Sequence, residues 1–293
     1  MKKAFIQLHI AVFLAGFTGI LGKLIMLNEG LLVWYRLMIS AVSLWVIYFF
    51  QKKSQRISFK DSIKIFGIGS IAALHWVSFY GSIKYSNVSI ALVCFSAIGF
   101  FTAFLEPLIF RVKVDIIELL LGLLMIFGIY FIFHFDPNYK TGIIIGLLSA
   151  LLASIFPILN KVLLKRIAAD TVTRYELSGG FIFLTLMLPI YLRLFPTGYL
   201  FPNLHDWLWL LILSWLCTVL AFNLSMKALQ RISAFTANLS YNLEPVYGIL
   251  LAFFVLGENK YFNKGFYVGL ILIFFAIIAQ MLRLWRKRRS RSS

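Results

Sequence analysis

Ten apolar runs, each close to the length that crosses a bilayer, leave this chain few folds to choose from. They fall at about 4–22, 32–50, 62–83, 86–110, 114–134, 142–160, 175–193, 207–226, 232–256 and 264–284 of its 293 residues. A spanning helix needs roughly 20 mostly apolar residues, so the expected fold is an all-α integral membrane protein with ten transmembrane helices. Composition agrees: 61% of residues are hydrophobic, 13% are charged and the mean hydropathy is +0.90. Soluble domains sit near ~45–50% apolar and ~25% charged, and even a large core cannot hide this much apolar surface from water. An ordinary soluble enzyme or nucleic-acid-binding domain is therefore excluded. Met1-Lys2-Lys3 ahead of an apolar run looks like a signal peptide, but no clear cleavage site follows and nine further runs do. The first run is read as a membrane helix. The connections are short, and the longest, 194–206, carries the helix breakers Pro196, Gly198 and Pro202.

A net charge of +17 could point to nucleic acid. Placement argues otherwise, because the cations sit in short clusters between the apolar runs. Counted by loop side, 21 Lys and Arg fall at one set of helix ends and 6 at the other, with Arg36 inside a span. That asymmetry places both termini in the cytoplasm, as an even number of spans also requires. Cys94 and Cys217 are too isolated for a disulfide framework or a thiolate metal site. The four histidines are dispersed, and neither a phosphate-binding loop nor a nucleophile motif occurs. No metal, cofactor or catalytic residue is expected.

The chain divides into residues 1–138 and 139–284, each with five spans, followed by a basic tail at 285–293. Ile20-Leu21-Gly22-Lys23 matches Ile158-Leu159-Asn160-Lys161, and Arg36 and Arg174 follow these lysines at the same spacing, all offset by 138. Gly122 and Gly269 correspond at an offset of 147, so the alignment carries small insertions. Five is odd, so the second half enters the membrane from the opposite side. Inverted repeats of this kind are common among secondary transporters, which bind substrate near the midplane between repeats.

Charges at bilayer depth are functional candidates by default. Lys84, Arg111, Lys227 and Glu258 read instead as helix-end charges whose side chains snorkel to the interface; Lys23 and Lys161 share that reading. Glu244 stands out, halfway along its run, preceded by Asn238, Ser240, Tyr241 and Asn242 and followed by Pro245. Proline frees a backbone carbonyl, irregular backbone at that depth suits a cavity wall, and a carboxylate there could exchange a proton unless paired, for example with Arg36. Glu106-Pro107 repeats the dipeptide but is not repeat-equivalent, and Glu106 lies close to Arg111 near the span end. A gating ion pair and a plain helix-end charge both fit it. His75, Trp76, Phe79 and Tyr80 in the third span could wall a pocket or pack helices. His75 could titrate or serve only as a hydrogen-bonded packing residue.

Ten spans, the five-plus-five repeat, and Leu243-Glu244-Pro245-Val246-Tyr247 leading to Leu256-Gly257-Glu258 resemble EamA-type carriers of the drug/metabolite transporter superfamily. The tenth span supplies the expected glycines, Gly265 and Gly269. The first half departs from the pattern, with Phe110-Arg111-Val112-Lys113 where the "LGE" turn would stand. The resemblance implies a multi-pass inner-membrane carrier, monomeric or homodimeric, exporting amino acids or related metabolites by alternating access. Its expected cavity lies between spans three, four, eight and nine. Trp76, Tyr80 and Phe222 would wall it; Asn238, Tyr241, Asn242 and Glu244 would supply polar contacts. Glu244, Arg36, His75 and Glu106 are the candidates for coupling or gating, with the proton as the coupling ion. An integral-membrane enzyme acting on a lipid-linked substrate is the alternative; it would need charged or His residues clustered at one membrane face.

Overall fold

Without water, a backbone group inside the bilayer finds its partner within its own helix, and the described chain is helical almost throughout. The computed structural model describes residues 2–51, 55, 57–111, 113–135, 139–232, 234–241 and 243–289, with no strand among them. Asn242 lies outside these residues, and the side chain of Asn238 is likewise outside the description. In order, the helices are α1 (Lys2–Gly16), α2 (Thr18–Leu24), α3 (Glu29–Gln51), α4 (Phe59–Tyr85), α5 (Val88–Phe95), α6 (Ile98–Phe110) and α7 (Ile116–Phe135). The second half holds α8 (Lys140–Leu163), α9 (Ala169–Leu194), α10 (Leu204–Ser214), a π-helical turn Trp215–Leu220 and α11 (Ala221–Leu229). It ends with α12 (Ala234–Tyr241), α13 (Leu243–Leu256), a short 3-10 turn Glu258–Tyr261 and α14 (Lys264–Arg289).

Among the described residues, eight stretches are long and apolar enough to cross a membrane: Lys3–Leu24, Glu29–Phe50, Phe59–Tyr85, Val88–Phe110, Lys140–Leu163, Ala169–Leu194, Leu204–Leu229 and Lys264–Arg283. The fifth and ninth of the expected ten appear as shorter apolar helices, Ile116–Ile132 and Leu243–Leu256. The ninth run is described on either side of Asn242, as Ala234–Tyr241 and Leu243–Leu256.

The fourth run is interrupted at Ser96 and Ala97, between α5 and α6. α6 and α13 end on the two left-handed residues of the described chain, Arg111 (φ 54°) and Gly257 (φ 66°), 146 positions apart. Gly257 takes that conformation freely for want of a Cβ.

α4 packs chiefly against α8 and α9, α7 against α14, and α5 against α13 and α8. In lipid the helices gain little from hydrophobic exclusion and rely on close contact at small residues. Gly180 of α9 shows why: a Cβ there would stand 2.8 Å from the Gly69 carbonyl of α4 and 3.3 Å from Ala73 and Leu37. α7 and α14 meet similarly, at Gly128 and Gly269.

Polar contacts tie the helix ends into two sets. One joins Asp61 to Arg166, Gln230 to the Ile167 carbonyl, Lys161 to the Leu229 and Ile232 carbonyls, and Arg283 to Asp115. The other joins the Met26 amide to Asp206, Lys84 to the Ile25 carbonyl, Tyr191 to Glu29, and Glu258 to the start of α5. Lys84, Lys161 and Glu258, read as freely snorkelling ends, are thus engaged with protein. Glu258 is only 4% exposed.

Gly180→Leu should wedge α4 from α9 and destabilise the protein by about 1–3 kcal/mol. Gly67→Ala, where an added Cβ meets nothing within 4 Å, should be neutral or stabilising. Thermal unfolding of both variants in detergent checks the contrast.

Candidate functional site

The break in the fourth run, between α5 and α6, faces an internal cavity of about 80 Å³. Phe95 and Ile98 reach it from the two sides of the α5–α6 break, Tyr241 and Glu244 from either side of Asn242. α4 contributes His75, Trp76 and Phe79; α8 contributes Ala153, Phe156 and Pro157; the span from α10 to α11 contributes Cys217, Phe222 and Ser225. Ala15, Thr18 and Arg36 close it. Spans one, two and six therefore share a lining expected from spans three, four, eight and nine alone.

Arg36 is 2% exposed and must satisfy its guanidinium inside the bundle. Nε donates to Thr218 Oγ1 at 2.7 Å, Nη1 to the Tyr80 hydroxyl at 2.8 Å and Nη2 to the Cys217 carbonyl at 3.3 Å. The guanidinium carbon lies 4.3 Å from the centre of the Trp76 ring, a cation–π distance. Cys217 and Thr218 belong to the π-helical turn Trp215–Leu220, where wider hydrogen bonding exposes carbonyls that an α-helix would keep. Such turns often mark functional sites. Thr218 Oγ1 passes its own hydrogen to the Leu213 carbonyl at 2.8 Å, leaving its lone pairs to Arg36.

Glu244, 5% exposed, lines the same cavity, and Arg36 is the charged group that acts on it. No ion pair closes between them among the described residues. Aromatic rings form the walls. Trp76 meets Phe222 edge-on at 5.9 Å, Phe222 stacks with Phe156 at 6.1 Å, and Phe79 meets Phe95 at 5.8 Å. His75 sits among them, its Nδ1 2.9 Å from Ser149 Oγ and 3.0 Å from the Ser149 carbonyl.

The structure thus brings Arg36, His75, Trp76, Phe222, Tyr241 and Glu244 to one cavity. Tyr80 stands behind that wall, fully buried, as the acceptor for Arg36. Glu106 lies apart, half-buried near Lys161. Asn223 turns away to Asp170.

Two buried groups were not among the candidate site residues. Glu176, 0% exposed, accepts from Asn160 Nδ2 with both oxygens, at 3.0 and 2.8 Å. Arg174, 4% exposed, lies 3.9 Å from the Tyr48 ring centre and 4.9 Å from that of Trp45. Arg174 counted as a loop cation because the apolar run starts at 175, whereas α9 starts at Ala169. Phe95 and Phe156 were hidden among 30 phenylalanines.

Arg36→Lys should fail to restore what Arg36→Met loses, because an ammonium cannot hold three separated acceptors with a planar fork. Each variant should unfold about 1–3 kcal/mol more easily than the wild type, and Trp76→Phe much less so. Melting curves of the purified proteins in one detergent test this order.

Comparison with known proteins adds family and fold. The model of the EamA-like transporter family matches residues 2–134 and again 140–281. No curated protein matches the sequence. A protein known from a crystal structure superposes with a TM-score of 0.70 over 98% of this chain and 99% of that one, at 15% identity. That likeness shows the fold alone. With both matches together covering nearly the whole chain, this multi-pass membrane protein belongs to the EamA-like transporter family.

Proposed function

We propose that the protein is a secondary exporter of amino acids or related small metabolites, working by alternating access with Glu244 as the proton-coupling group. In this reading the chain crosses the membrane ten times as two inverted five-helix repeats, 1–138 and 139–284. The shorter helices α7 and α12–α13 complete the crossings. The cation asymmetry puts both termini and the tail in the cytoplasm of a cell whose inner membrane holds the carrier. The polar set of ends around Asp61, Arg166 and Lys161 is then cytoplasmic, and the set around Asp206, Glu29 and Glu258 faces outward.

One observation carries the proposal: a fixed cation, Arg36, and a carboxylate, Glu244, share an aromatic cavity beside the break in the fourth span. Broken helices at the midplane are where carriers of this architecture bind solute. Metabolites with both an anionic and a cationic group suit such a pair. At about 80 Å³ the cavity is smaller than the roughly 300–1,000 Å³ of a ligand pocket. A solute therefore enters only when the helix halves move apart, as alternating access requires. Glu244 carries the coupling because it lines the cavity and, among the described residues, no ion pair holds it, so proton and solute compete for the same carboxylate.

Counterflow of labelled amino acids into proteoliposomes tests this directly. Glu244→Gln, fixed in a proton-bound shape, should abolish acceleration by an imposed pH gradient while leaving some solute exchange. Unchanged rate and unchanged pH dependence would remove the coupling role. Competition among unlabelled metabolites in inverted vesicles should show saturation and identify the substrate.

A further inference from the structure

We infer that Glu258 is a latch that holds the outer ends of spans four and nine together and so sets how often the cavity opens outward. The inference rests on the alternating-access reading above. α13 ends at Gly257, whose left-handed backbone turns the chain sharply enough to aim the next side chain at the start of α5. Glu258 Oε1 accepts the Val88 amide at 3.0 Å, and Oε2 accepts the Ser89 amide at 2.9 Å and the Ser89 hydroxyl at 2.6 Å. Asn87 takes the Ile90 amide at 2.8 Å, so the free N–H groups of the first turn are shared between a local cap and a residue about 170 positions away. A carboxylate also suits the positive end of the helix dipole. Three charge-assisted hydrogen bonds, all buried, make this contact far stronger than an exposed ion pair.

What the carboxylate joins is specific. α5 and α13 form the outer parts of the fourth and ninth spans, they pack against each other, and Gly248 of α13 lets Leu92 of α5 lie close. Their inner ends reach the cavity through Phe95 and Glu244. Opening the cavity outward must part these two helices, and parting them breaks the Glu258 contacts.

The opposite end is not built alike. There Arg111 takes the left-handed position that corresponds to Gly257, 146 residues earlier. The residue after it is Val112, which has no acceptor for a helix start. The next carboxylate, Asp115, is engaged with Arg283 and with the first turn of α7. The two left-handed residues correspond, and only the outer one is followed in sequence by a carboxylate. The carrier should favour the state that is sealed outside.

Cys217, which lines the cavity, serves as the probe after Cys94→Ala removes the other thiol. A charged, impermeant methanethiosulfonate is applied from the outside of right-side-out vesicles and, separately, to inverted ones. With Glu258→Gln, labelling from outside should rise roughly ten-fold while labelling from inside falls. Ser89→Ala, which loses one of the three bonds, should give a smaller change of the same sign. Melting curves confirm that both variants are folded. Equal acceleration from both faces would make Glu258 merely structural and overturn the latch. So would rates that both variants leave unchanged while the wild type is labelled from both faces. Labelling from one face only, in wild type and variants alike, would remove alternating access along with the latch.

Discussion

A guanidinium buried within a membrane bundle is tolerated only if every direction it points offers an acceptor, and the centre of this protein is arranged around that requirement. Arg36 is answered by a hydroxyl from span eight, a phenol from α4, a carbonyl from span eight and the face of Trp76. Each acceptor constrains another element. The carbonyl is presented by the π-helical turn Trp215–Leu220, and the phenol must lie deep in α4. Tyr80 fits there because Gly22 offers no side chain against its ring. One charge thus aligns parts of both sequence repeats without an ion pair, which in a low-dielectric interior would oppose the freedom of Glu244 to change its charge.

The close packing elsewhere makes the few breaks meaningful. Where backbones meet at Gly69 and Gly180 or at Gly128 and Gly269, helices touch over surfaces that cannot slide far without clashing. Motion is then confined to the place where the hydrogen-bond ladder already stops, between α5 and α6. Val88–Phe110 is 78% buried, the most enclosed of the long stretches. A break there lies inside the bundle, beside the cavity, rather than on the lipid face.

Much of this was legible in the sequence. Runs of about twenty apolar residues can do little but cross a membrane, so the helices follow from length alone. Glu244-Pro245 among Asn, Ser and Tyr drew attention to Glu244, which lines the cavity, because proline and polar side chains have a clear physical cost at that depth. Tertiary partners and exact ends were not legible. Arg174 was counted among the helix-end cations because α9 begins six residues before its apolar run. Glu258 looked like a solvated helix end, yet it is buried against a helix start about 170 residues away, and no local pattern reports such a pairing. Tyr80 was assigned to the wall on helical periodicity, whereas its hydroxyl faces Arg36. The rings of Phe95 and Phe156 have no signature in a chain with 17% aromatic residues.

The two repeat-related arginines show how a duplicated framework acquires one site. Arg36 and Arg174 occupy matching sequence positions and are both buried against aromatic rings, at 4.3 Å from Trp76 and 3.9 Å from Tyr48. The difference lies in what the rings belong to. Tyr48 and Trp45 come from α3, beside an apolar groove between α3 and α9, so Arg174 joins two helices that already pack together. Trp76 and the π-helical turn stand on either side of the cavity, so Arg36 joins the walls of the space itself. A cation held at the first position only packs helices. The same cation held at the second presents its field to whatever enters, and it does so beside Glu244, a carboxylate that lines the same space. The pseudo-symmetry of the fold therefore supplies the geometry twice, and the placement of polar acceptors on span eight decides which copy faces the cavity.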